Sequence, residues 1–243
     1  MTSLDWLEYF RSNRNAGGLL PWQTSDRLTS QERACVAASI QQFQLGEGSA
    51  GAGFLRRGAA YARVTGDAAF VPALDLFIQE EQRHSGWLGR FLDLEGIPRL
   101  QKHWVDRVFR RLRGLAGLEL CVAVLVAAEA IAIPYYRALR DATGSPLLRA
   151  ICNHVLHDEE AHLGYQGLTL SRFRRGPMKL WAHRAFLSIT VAVVWMEHRR
   201  VFDRAGYDFS GFYAETFEAF TCVENCTTPA FATADACRNR VPD

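Results

Sequence analysis

Two Glu-x-x-His motifs stand in this sequence, Glu81 to His84 in "EQRH" and Glu159 to His162 in "EEAH". On a helix, a spacing of three sets both side chains on one face about one turn apart, where a carboxylate and an imidazole can bind the same or neighbouring ions. With 7 His in the chain, chance supplies roughly 0.4 such matches, so the context must decide. Around the first motif the stripe Leu74, Phe77, Glu81, His84, Leu88, Phe91 is apolar except at the motif itself. The stripe Leu148, Cys152, Val155, Glu159, His162 repeats the pattern. Asp158 reads as a partner behind the ligands, and His157 and Glu160 as the wet side of the helix.

A two-metal site of this kind also needs one carboxylate from each of two further helices. Glu47 in "FQLGEGSAGAGF" and Glu129 in "VLVAAEAIAIPYY" are the candidates. In an antiparallel hairpin, residues equally far from the turn lie at one height. Glu129 and Glu159 are each about 13 residues from the turn at 142–146, whereas Glu47 and Glu81 are about 18 and 14 from that at 65–67, off by one turn. The rival Glu119 would sit about 15 Å from the level of Glu129. Four buried carboxylates need compensation, which two divalent cations supply. Carboxylate and imidazole together suit iron or manganese in an open, redox-active site.

The elements that must position these residues are helical, with almost no strand signal. "TSQE" at 29–32 is a capping box opening helix A, which the pattern carries to about Val64. Helix B runs from about Ala69 to Leu94, with Pro72 in its first turn. After a short basic stretch, helix C covers about Gly114 to Arg140. Ser145 as N-cap and Pro146 as first residue open helix D, which ends near "RRGP" at 174–177. A fifth helix spans about Met178 to Ala205 and a sixth Ser210 to Phe220. The predicted architecture is an all-α antiparallel four-helix bundle with two additional C-terminal helices. Its divisions are an N-terminal lead-in at 1–28, the helical domain at 29–221 with the ligand bundle at about 30–172, and a Cys-containing tail at 222–243.

At 243 residues, 49% hydrophobic and 22% charged, the chain is long enough for one sizeable core. A net charge of +2 does not imply nucleic acid by itself. The start "MTSLDWLEYFRSNRN" lacks a signal peptide's apolar region, and the run Leu120 to Ala128 is too short to span a bilayer, so a cytoplasmic protein without a membrane is expected. Cys35, Cys121 and Cys152 fall in apolar helical patterns as small hydrophobes. Cys222, Cys226 and Cys237 lack CxxC spacing and read as unpaired thiols ahead of a zinc site.

The set Glu47, Glu81, His84, Glu129, Glu159, His162 resembles the ligands of the ferritin-like di-iron carboxylate superfamily. "EEQRH" and "DEEAH" are similar to the ligand motifs of acyl-carrier desaturases and bacterial multicomponent monooxygenases. The resemblance implies a ferritin-like bundle holding two Fe ions, or a Mn/Fe pair. Glu81 and Glu159 would bridge, His84 and His162 would bind one ion each, and Glu47 and Glu129 would be largely terminal. It implies a di-iron oxidoreductase that activates O2 to oxidise a small-molecule or carrier-protein-bound substrate, fed by an external electron donor, with a homodimer compatible. The alternative is a ferroxidase- or peroxidase-type protein handling iron or peroxide without an organic substrate. Ala132 and Ile133 stand where many di-iron hydroxylases carry a threonine.

Gly46, Gly48, Gly51 and Gly53 surround Glu47 and read either as a thinned wall opening space or as close helix packing. A pocket walled by Ala128, Ala132 and these glycines would favour organic oxidation, and an acidic channel would favour iron handling. Tyr136, Tyr165, Trp87 and Phe43 read as core ahead of redox relays. Basic residues gather at 102–113, 172–184 and 198–200. In an up-down bundle the first two would form a rim able to dock an acidic carrier or a nucleic-acid backbone, against the simpler reading of a solvated surface.

Overall fold

The computed structural model describes residues 1–14, 20–48, 51–115 and 117–225. Among these the chain is all-helical, with no strand. The nine helices are α1 (Ser3–Asn13), α2 (Ser30–Glu47), α3 (Ala52–Thr65), α4 (Phe70–Leu94), α5 (Trp104–Leu115), α6 (Leu118–Asp141), α7 (Pro146–Ser171), α8 (Pro177–Arg204) and α9 (Phe209–Asn225).

Local chemistry starts the principal helices where the sequence indicates. Thr29 caps α2 in a reciprocal capping box with Glu32, and the Ser145 side chain accepts from Leu148 N ahead of Pro146. Glu32 also reaches across the fold, accepting from Gly144 N at 2.6 Å.

Side-chain contacts fix the chain directions. α2 runs against α4, with Gln44 beside Ser85 and Arg33 reaching the carbonyl of Gly96. It also runs against α6, with Ser39 bonded to Tyr135 and Glu32 to Gly144. α6 and α7 form a hairpin across 142–145. α4 and α7 are antiparallel, because Asp67 pairs with Arg172 at one end and the Trp87 ring meets His154 further along. α4 and α6 therefore point the same way. The chain must travel back a helix length between them, and α5 lies on that return.

Several expectations change here. Helix A is not continuous: it ends at Glu47, and α3 begins after Gly51, whose φ of +60 suits a residue without Cβ and whose missing Cβ would lie 2.7 Å from Ile78. Counting residues through this break is what put Glu47 one turn out of register. The lead-in at 1–28 contains α1, which buries Trp6, Leu7 and Phe10 in the common core. The basic stretch at 102–113 is itself largely a helix, α5, laid along the flank of α6 and α2 rather than at a helix end. With α4 and α7 antiparallel, their C-terminal ends share no rim. His198, counted with the third basic group, is buried on Ser39.

α6 alone among the described residues is long and apolar enough to cross a membrane, with a mean hydropathy of 1.9 over an 18-residue window that is 78% buried inside the protein. Cys35, Cys121 and Cys152 are free thiols, and Cys222 lies within α9. Cys226 and Cys237 lie outside the described residues.

Candidate metal centre

α4 and α7 bring the two motifs face to face. Ligand atoms of Glu81, His84, Glu159 and His162 all lie within 4.8 Å of one another, and this group could hold a metal ion. His162 Nδ1 is 2.8 Å from Glu81 Oε1 and 3.7 Å from Glu159 Oε2. His84 Nδ1 is 3.5 Å from Glu159 Oε1 and 4.0 Å from Glu81 Oε1. Donors bound at about 2.0–2.2 Å to one ion are separated by roughly 3–4 Å, and the four distances of 2.8 to 4.0 Å lie close to that range.

Both Nδ1 atoms, Glu81 Oε1 and both oxygens of Glu159 are buried with no hydrogen-bond partner. The 2.8 Å approach of His162 to Glu81 lacks the alignment of a hydrogen bond. Buried polar atoms are ordinarily satisfied, and a cation at their common centre would satisfy these together. The donor set thus fits a metal.

Glu47 and Glu129 flank this group from α2 and α6. Glu129 is 3% exposed with Oε1 unpartnered, and Glu47 is 9% exposed and accepts from Tyr136 Oη at 2.7 Å. Burial, then the charges of Glu81 and Glu159, pushes both carboxyls well above the ordinary glutamate range. Burial also opposes charge on Glu159, but the proximity of the Glu129 carboxyl and of the two histidines outweighs it and holds that carboxyl low. A cation would reverse the balance at Glu47 and Glu129 by favouring their ionised forms. Glu119, by contrast, pairs with Lys179 at 2.8 Å near the surface and takes no part.

The outer faces of the histidines are held crosswise. His84 Nε2–H donates to Asp158 Oδ2 at 2.9 Å, and His162 Nε2–H donates to Glu80 Oε2 at 3.0 Å. Each motif histidine is therefore oriented by the acidic residue preceding the other motif's glutamate, which leaves Nδ1 facing inward. Asn13 of α1 donates to Glu80 and Asp158, both at 2.8 Å, and Arg83 bridges the same pair at 3.2 and 2.8 Å. Burial works against a charged His84, but the bond to Asp158 and the nearby Glu159 carboxylate dominate and raise its pKa to about 10. Reading the sequence finds Asp158 and misses Glu80, although "EEQRH" and "DEEAH" share the acid before the ligand. For Asn13 no local signal exists. His157 and Glu160 are exposed, as expected.

A cavity of about 150 Å³ lies against the carboxylates Glu47, Glu81 and Glu129. Its walls are mainly apolar, with Gly46, Ala128 and Ala132 on one side and Thr190 and Val194 of α8 on the other. Phe43 and Tyr136 belong to the aromatic packing around Glu47, Trp87 lies beside His84, and Tyr165 packs on Phe10 and Phe77. Comparison with protein-family models, with curated proteins and with solved structures finds no match to this chain.

Proposed function

We propose that the chain is a ferritin-like di-iron oxidoreductase that oxidises an organic substrate with O2. One observation carries this reading: unpartnered, buried Glu and His atoms from α4 and α7 converge between Glu47 and Glu129, directly beneath an apolar cavity. The antiparallel arrangement of α2, α4, α6 and α7, with a single crossover between α4 and α6, supports a ferritin-like bundle. Glu47, Glu81, His84, Glu129, Glu159 and His162 would hold two irons, or a manganese and an iron. Such a pair supplies O2 reduction coupled to oxidation of a bound organic molecule.

The protein's own residues do the rest. Glu80 and Asp158 orient the imidazoles, and Arg83 and Asn13 hold those two acids. Tyr136 fixes the Glu47 carboxyl by donating to it. The apolar walls exclude water and accept a carbon skeleton, a feature that favours organic oxidation over iron handling.

Metal analysis followed by anaerobic Fe(II) loading and exposure to O2, watched by absorption, tests the reading. About two tightly bound ions per chain, with a limited absorption change on oxygenation, is the expected result. Less than about one equivalent of metal, unchanged in Glu159→Ala, sinks it. Continuous iron mineralisation assigns the chain to iron handling instead.

A further inference from the structure

A second cavity, of about 410 Å³, has a basic wall formed by Arg56, Arg57, Arg110 and Arg113. It meets the apolar cavity where Gly46, Glu81, Arg113 and Leu125 border both. Among the described residues, Glu81 is the only acid lining this second space, and its inward oxygen belongs to the ligand cluster. Arg57 donates to the carbonyls of Gly53 and Gly114 at 3.0 and 2.9 Å. Arg110 is committed to Asp106 at 2.7 Å and to the Leu45 carbonyl at 3.2 Å.

Arg113, at the junction, makes neither a hydrogen bond nor an ion pair among the described residues. Burial pulls its pKa below the ordinary arginine range. Arg113 is half-buried, and a guanidinium that has lost part of its hydration is well served by an anion or several acceptors. Its planar fork of donors matches a carboxylate bidentately. On one side of it is polar, basic space, and on the other an apolar pocket ending at the ligand carboxylates.

We propose that Arg113 binds the head of a small amphiphilic carboxylic acid whose apolar body occupies the cavity between α6 and α8, beside Glu47 and Glu129. The assignment depends on the oxidoreductase reading only for calling this acid a substrate. Binding itself needs no metal, so the two can fail separately.

Isothermal titration of the metal-free protein with hexanoate, octanoate, 1-hexanol and inorganic phosphate tests it. Hexanoate and octanoate should bind, with hexanol and phosphate at least tenfold weaker. Arg113→Gln should weaken hexanoate at least tenfold, Arg113→Lys less, and Arg90→Gln, whose guanidinium stacks on Trp22 away from both cavities, not at all. Arg113→Gln should melt no lower than the parent chain, because it removes an unpaired cation. Ala128→Leu, which narrows the apolar cavity, provides an independent check: octanoate should weaken more than hexanoate. Equal affinity for hexanol and hexanoate, tight binding of phosphate without the tail, or indifference to both Arg113→Gln and Ala128→Leu would overturn the proposal. A chain that binds the acids but takes up no metal leaves this inference standing and removes the di-iron one.

Discussion

His162 of α7 takes its orientation from Glu80 of α4, since its Nε2–H donates to Glu80 Oε2 at 3.0 Å and its Nδ1 is thereby aimed at Glu81 and Glu159. Replacing the carboxylate acceptor by a neutral amide weakens its hold on the ring while leaving the inner donors in place. Glu80→Gln and Asp158→Asn should each lower metal affinity about 10- to 100-fold without abolishing binding. Competition against a chelator of known affinity measures this. Unchanged affinity in both variants would show that the crosswise contacts orient nothing.

Asn13 ties α1 to both acids through a single amide. In Asn13→Ala two buried carboxylates each lose a donor, while Arg83 retains contact with both. We expect a stability loss of about 1–3 kcal/mol, read as a shifted urea midpoint at unchanged slope. A loss under about 0.3 kcal/mol would mean that α1 is held by its apolar face alone.

His84→Ala should reduce metal occupancy far more than Glu119→Ala. His84 is fully buried with Nδ1 facing Glu159, whereas Glu119 forms a partly exposed pair with Lys179. The Glu119 substitution should also change stability by no more than about 1 kcal/mol. Elemental analysis of the two purified variants decides, and equal losses would return Glu119 to the ligand set in place of Glu129.

Acid should destabilise the fold through two histidines outside the ligand cluster. Burial, followed by the charge of Arg175, lowers the His183 pKa to about 4, and burial, followed by His103, lowers that of His198 to about 3. Arg175 donates to His183 Nδ1 at 2.6 Å, and His183 Nε2–H donates to the Ala123 carbonyl at 2.7 Å, an arrangement that requires the neutral ring. Below pH 6.5 the unfolded chain takes up protons that the folded chain refuses. Stability is therefore complete above about 6.5 and falls toward pH 4, by up to about 1.4 kcal/mol per pH unit for each site. In the metal-free protein the raised carboxyls of Glu47 and Glu129 slope the opposite way, so the histidine contribution is read as the difference between the parent chain and His198→Asn, denatured between pH 7.5 and 4.5. The variant should lose less stability toward acid than the parent, and profiles that run parallel would refute the assignment.

The sequence by itself determined the all-helical class, the limits of α4, α6 and α7 to within a few residues, and the two motifs that face one another. These are local properties: apolar periodicity, a capping serine or threonine, and an i to i+3 spacing act within one or two turns. It also singled out Glu129, because a tight hairpin makes height proportional to residue number. What lies between distant segments was decided only by tertiary structure. The break after Glu47, the antiparallel course of α4 and α7, α5 along the flank, and Asn13 bridging to a residue 145 positions away all arise from which apolar faces bury one another. No window of neighbouring residues encodes that choice, because burial is shared by the whole core.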